Sequence, residues 1–215
     1  MIKISKPTKM KITGKRVGCW SLEARKSCPG SKNPDGSVVA VCQSCYATKG
    51  MYRFPVVKAV RQNNQQDYHR DDWVGDMVKE VSKYDYFRWF DSGDIETPEL
   101  AHKIKTVIYR TQSTKHWLPT RSDKIPKINE IIADTDSKAG IATRSNVAVR
   151  PSADNIGLNN QERPGVNSYV IKPEEIFDAK RQGIYVCPVG VNPSQKSCDT
   201  CTMCYTNAKV AYVLH

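Results

Sequence analysis

The sequence predicts an α/β fold arranged as a partial (β/α) barrel. Strand-like runs alternate with helical stretches, an order that implies parallel strand pairing. A polar turn, Asp91-Ser92-Gly93-Asp94, closes one such strand and leads at once into a well-capped helix start. The chain has 215 residues, short of the roughly 250 of a full barrel. An incomplete barrel or open sheet, folded as a single domain over 1–215, is therefore expected.

The elements follow in order. Residues 12–50 are rich in Gly, Pro, Ser and Cys and read as a loop around a metal site. Residues 55–82 read as helix. Val56, Val57 and Val60 start one apolar face, and Asp72 is placed to cap a second stretch carrying Trp73, Met77, Val78 and Val81. Tyr84 to Phe90 is a strand with aromatics on both faces. Such a run could stack bases, but packing of a buried strand explains it better. The next helix has Thr97 as N-cap, Pro98 in its first position and Glu99 in its first turn. Leu100, Ile104, Val107 and Ile108 share one side. His116 to Leu118 is a short strand ending in Thr120-Arg121-Ser122, followed by a helix with Ile128, Ile131 and Ile132 inward. Gly140 to Ala142 reads as another strand, ending in Thr143-Arg144-Ser145. Val147 to Val149, Tyr169 to Ile171 and Ile184 to Val186 complete the strands. Functional groups should gather at the C-terminal ends of the strands.

Composition is that of an ordinary globular protein, 39% hydrophobic and 26% charged. No apolar run approaches the ~18 residues of a membrane span, and Met1 to Lys11 has no stretch of signal-peptide type. The expectation is a cytoplasmic protein without a membrane partner. Eight cysteines in a reducing compartment point to metal or redox chemistry before disulfides. A net charge of +11 admits nucleic acid or another anionic partner, although the cations are spread along the chain.

The cysteines form two groups. Cys198, Cys201 and Cys204 make a C-x2-C-x2-C core, with Cys187 upstream. Such spacing lets three thiolates converge from a single loop, as in bacterial ferredoxins. A structural zinc site is the alternative. Cys28, Cys42 and Cys45, spaced C-x13-C-x2-C, are one ligand short of a closed site. The fourth could be absent, or come from Cys19, His69, His102, His116 or His215, or both ends of the chain could share one cluster. Cys19, between Gly18 and Trp20, reads better as a small buried residue. Asp91 and Asp94 end a strand and could bind or act on a ligand, although Asp94 could equally favour the following helix N-terminus. Arg121 and Arg144 end strands by the same reading. They could grip a carboxylate or phosphate bidentately, or simply be solvated.

Cys28-Pro29-Gly30, Cys42-x-x-Cys45-Tyr46-Ala47 and Gly50-Met51-Tyr52-Arg53 resemble the gene product 88-like proteins of phages and plasmids. So do Phe87-Arg88-Trp89-Phe90-Asp91-Ser92-Gly93-Asp94 and Cys187-Pro188 with its cysteine triplet. The resemblance implies a viral-type iron–sulfur protein, at work in an infected or plasmid-bearing host cell. More remotely, the order of elements is similar to the radical S-adenosylmethionine enzymes. In these, three cysteines hold a [4Fe–4S] cluster with one open iron on a partial barrel. That likeness implies one or two [4Fe–4S] clusters and bound S-adenosylmethionine. Asp94 would meet its amino group, and Arg121 or Arg144 its carboxylate. The alternative is a zinc-stapled, basic nucleic-acid-binding protein without catalysis.

Overall fold

The computed structural model describes residues 1–6, 8–133, 140–158 and 165–214, with Thr8 described by its backbone alone. Among these, seven strands form one parallel sheet. They are β1 (Val17–Trp20), β2 (Tyr86–Trp89), β3 (Lys115–Thr120), β4 (Val147–Ile156), β5 (Ser168–Ile171), β6 (Tyr185–Val186) and β7 (Val210–Val213). Their order is β1-β2-β3-β4-β5-β7-β6. Six helices accompany them: α1 (Ala40–Gln43), α2 (Pro55–Asp67), α3 (Trp73–Val81), α4 (Pro98–Arg110), α5 (Pro126–Ala133) and α6 (Ile176–Arg181). The α/β class and parallel pairing are as the sequence implies. Closure into a barrel is not seen, because no pairing joins β1 to β6 among the described residues.

Register explains how the sheet is buried. Trp20, Trp89, Leu118 and Val149 lie abreast across β1 to β4, as do Cys19, Arg88, Trp117 and Ala148 one residue earlier. Side chains alternate along a strand, so these two rows face opposite ways. The first row joins Trp73, Met77 and Val81 of α3, Leu100, Ile104 and Ile108 of α4, and Ile128 and Ile132 of α5 in one buried core. Each such side chain contributes about 1.5–3 kcal/mol by leaving water. Farther along the sheet, Ile171, Ala211 and Val213 pack on Ala179 of α6 on the same side. Parallel sheets are covered on both faces. Here the second face, with Cys19, Arg88, Trp117 and Arg150, lies opposite α3 to α6. The N-terminal segment and the cysteine-rich stretch before β7 cover it: Tyr205 packs on Tyr86 and Trp117, and Cys198 N–H donates to the Lys9 carbonyl at 2.9 Å.

β4 carries the sheet from one half to the other. Val147–Pro151 pairs with β3, and the ladder then shifts register to pair with β5. Pro151, which has no N–H to give, sits at the handover.

Several local expectations change. Residues 12–50 are not all loop, since β1 lies within them. Gly18 disguises that strand, but a Cβ there would meet the Tyr84 ring at 2.9 Å. The strand expected at Gly140 to Ala142 is a 3-10 turn, Ile141–Thr143, whose Ile141 alone enters the core. The apolar face read into α2 is absent. Val56 is exposed, and the buried side chains are Arg61, Asn64 and Asp67. These make polar tethers: Asn64 bonds the Lys3 and Ser21 carbonyls, and Asp67 takes the chain's first amino group at 2.8 Å. Asp72 does not cap α3; its carboxylate pairs with Arg70. Thr97 does cap α4, accepting from Leu100 N–H at 3.1 Å. β7 had no counterpart in the sequence reading.

Candidate metal centres

Cys187 follows β6, and its N–H donates to the Ala211 carbonyl at 2.8 Å. Cys198, Cys201 and Cys204 lie on the loop to β7, which turns tightly: Cys201 N–H donates to the Cys198 carbonyl at 2.8 Å. Asp199 adopts a left-handed φ of 51°. Thr13 anchors it by backbone and hydroxyl, at 2.9 and 2.6 Å. All four cysteines line one largely apolar pocket with Met10, Ile12, Trp117, Tyr185, Tyr205 and Val210. Tyr185 Oη stands 3.4 Å from Cys201 Sγ, and Tyr212 Oη stands 3.2 Å from Cys204 Sγ. Burial, then the neighbouring thiolates, pushes the Cys198 thiol up to about 12; burial likewise raises Cys187 and Cys204. A metal must displace those protons, so its binding should tighten as pH rises.

This site fits a thiolate-bound anionic cluster. Among the described residues, buried Arg150 donates only to neutral acceptors: Ser168 Oγ at 3.0 Å, the Thr206 carbonyl at 2.7 Å and the Asn167 carbonyl at 2.6 Å. Its charge partly offsets the upward shift of Cys204. Three buried donors around the pocket lack partners, namely Trp117 Nε1, Tyr205 Oη and Arg88 Nε. Among the described residues, no group of three or more His, Cys, Asp and Glu side chains is set around a point for one metal ion. Zinc would draw four sulfurs to about 2.3 Å from a single point.

The second set of cysteines follows β1. Cys28 begins a 3-10 turn, Pro29–Ser31; Cys42 lies in α1, and Cys45 N–H donates to its carbonyl at 3.2 Å. Arg25 steadies this loop by donating to the Cys42 and Gln43 carbonyls. Burial, then Asp94, pushes Cys28 up to about 12, with the other two thiolates adding to it. Burial also raises Cys42, against the pull of Arg121. The loop that carries these thiols lies against the C-terminal ends of β2 and β3, where Asp94 acts on Cys28 and Arg121 on Cys42, and none of the three lines the C-terminal pocket. Gly30 is where this loop touches β3's end, because a Cβ there would lie 2.1 Å from the Arg121 carbonyl oxygen. Gly30→Ala should cost about 1–3 kcal/mol, read as a lower urea midpoint.

Of the ligand-binding candidates, Asp94 is buried and already committed. Its Oδ1 accepts from Ile95 N–H at 2.8 Å and Thr120 Oγ1 at 2.7 Å, and its Oδ2 from Arg121 N–H at 2.7 Å. It ties the ends of β2 and β3 together. Asp91 anchors a network instead: Arg88 at 2.9 Å, the Tyr52 hydroxyl at 2.6 Å and Arg61 at 3.9 Å. Phe90 reaches it through a left-handed φ of 61°, a strained conformation for an aromatic residue. Arg121 donates to the Ala153 carbonyl at 3.0 and 3.1 Å and pairs with Asp154 at 3.6 Å. Arg144 is not brought to this site. It precedes β4, whereas Asp94 and Arg121 follow β2 and β3, so it lies toward the opposite end of a parallel sheet, over the Tyr109 ring at 4.4 Å.

Among the histidines, His116 is a core residue. Its Nδ1 accepts from Trp89 Nε1 at 3.2 Å, leaving Nε2–H for Thr111 Oγ1 at 3.0 Å; burial drops its pKa to about 3. His69 meets Glu99, and His102 lies on the exposed side of α4. His215 lies outside the described residues. Cys19 is a buried thiol beside Ser21, pushed up to about 11 by burial. No cysteine is in a disulfide.

Sequence reasoning missed Arg88, Arg150 and the tyrosines at 185, 205 and 212. Arg150 did carry a signal, as a cation ending the apolar run Val147-Ala148-Val149.

A family model described as gene product 88 matches residues 3–176, a stretch that includes Cys28, Cys42 and Cys45 and ends before Cys187. No curated protein and no solved structure matches the chain, and none of these comparisons links it to the radical S-adenosylmethionine enzymes. With most of its length matched, the chain belongs to the gene product 88 family.

Proposed function

We propose that this protein binds iron–sulfur clusters, with a [4Fe–4S] cluster on Cys187, Cys198, Cys201 and Cys204 and a second on Cys28, Cys42 and Cys45. The observation that carries this reading is the C-terminal pocket. Four cysteines line it, and Arg150 is buried nearby with only neutral partners among the described residues. A cluster held by four thiolates is net negative and would supply the missing counter-charge. Such a cluster supplies one-electron redox chemistry. With three thiolates, the N-terminal site leaves one iron for an outside ligand. S-adenosylmethionine is the finer reading of that position. Asp94 would support that site by ordering the strand ends, because its oxygens are already bonded.

Protein purified without oxygen should be brown and contain iron and acid-labile sulfide in similar amounts. Colourless protein with stoichiometric zinc would favour the zinc-stapled, nucleic-acid-binding alternative.

A further inference from the structure

The two sites differ in what surrounds their sulfurs. At the C-terminal site, Tyr185 Oη is 3.4 Å from Cys201 Sγ and Tyr212 Oη is 3.2 Å from Cys204 Sγ. A thiolate has no hydrogen to give, so each hydroxyl would then be the donor. Trp117 and Tyr205 line the same pocket, and among the described residues their Nε1 and Oη have no hydrogen-bond partner. They are two further donors free to face sulfur. Arg150 adds a fully buried positive charge that no carboxylate offsets among the described residues. The one acid on the loop, Asp199, is exposed and bonded to Thr13.

At the N-terminal site the balance is different. Buried Asp94 holds the N–H of Arg121, the residue against which Gly30 packs; its carboxylate acts on Cys28, and that of Asp154 acts on Cys42. Of the cations there, Arg121 and Lys124 pair with Asp154, at 3.6 and 3.0 Å, and Arg25 donates to the Cys42 and Gln43 carbonyls. No tyrosine or tryptophan hydrogen bond to Cys28, Cys42 or Cys45 occurs among the described contacts.

Reduction adds negative charge to a cluster. Donors aimed at its sulfurs and an uncompensated cation stabilise the reduced form, and carboxylates oppose it. We infer that Trp117, Tyr185, Tyr205, Tyr212 and Arg150 form a donor cage that makes the C-terminal centre the more easily reduced of the two. An electron delivered by any one-electron donor then rests at this centre. The inference depends on the iron–sulfur reading above and goes beyond it by ranking the two centres.

The experiment is an anaerobic redox titration of the full chain, followed by electron paramagnetic resonance, with iron and sulfide measured on each sample. Two waves are expected, and Cys42→Ala should remove the lower one. Tyr185→Phe and Tyr212→Phe keep the ring and delete one donor each; Trp117→Phe deletes a third donor with a smaller ring. Each should move the upper wave to lower potential with iron content unchanged. Tyr52→Phe, whose hydroxyl serves Asp91, should leave the upper wave in place. A single wave, an upper wave that survives all three donor deletions unmoved, or loss of the upper wave in Cys42→Ala would overturn the ranking while leaving iron binding intact. Wild-type protein without iron and sulfide would overturn the iron–sulfur reading and the ranking together.

Discussion

Cys201→Ser is expected to empty the C-terminal centre and to remove a large share of the protein's stability. Cys201 is the middle cysteine of the tight loop, and its N–H closes the turn onto Cys198. That loop covers a face of the sheet that no helix of α3 to α6 covers. Without the metal, four half-buried thiols would hold it only through their own packing. Met10, Ile12, Trp117 and Val210 line the pocket, and each is worth about 1.5–3 kcal/mol when kept from water. Partial release of this layer should cost on the order of 5 kcal/mol. Iron content and the urea midpoint, both measured without oxygen, report it. Unchanged iron and an unchanged midpoint would show that Cys201 is no ligand.

Arg150→Met should destabilise the cluster-loaded protein by about 3–5 kcal/mol, the usual cost of stripping a buried charge of its partner. The same substitution should cost less after the cluster is removed by chelation. In the stripped protein the guanidinium is a buried cation with neutral acceptors alone, and its removal relieves that expense. The Ser168, Asn167 and Thr206 acceptors are left unsatisfied in both forms, at about 1–3 kcal/mol per group, so that part cancels in the comparison. Unfolding free energies of both proteins, with and without cluster, give the difference. An equal loss in the two forms would mean that Arg150 faces no anionic group.

Much of this was legible in the sequence because local chemistry dictated it. Thr97-Pro98-Glu99 starts α4 as read, because capping is a matter of adjacent residues. The inward faces of α4 and α5 follow from helical spacing. The cysteine triplet states its own loop. The unread parts depend on distant contacts. β1 looks like loop because Gly18 and Cys19 are poor strand formers, and only the Tyr84 ring and the row Cys19, Arg88, Trp117 explain them. The buried side of α2 is polar because Asn64 and Asp67 hold the N-terminal segment, 61 and 66 residues away in sequence. Asp94 does follow a strand end, but the groups that occupy it, Thr120 and the Arg121 N–H, come from the neighbouring strand and the turn after it. Arg144 shares a Thr-Arg-Ser pattern with Arg121, yet the turn at Ile141–Thr143 places it before a strand and not after one. The tyrosines near Cys201 and Cys204 carry no motif, since β6 and β7 deliver them by sheet register.

The most direct test of the central claim is X-ray absorption on anaerobically purified, full-length protein at the iron and zinc edges. The account predicts iron in an all-sulfur first shell with iron neighbours beyond it, reduced in amount by Cys201→Ser. Zinc surrounded by four sulfurs at about 2.3 Å, with no iron signal, would contradict it.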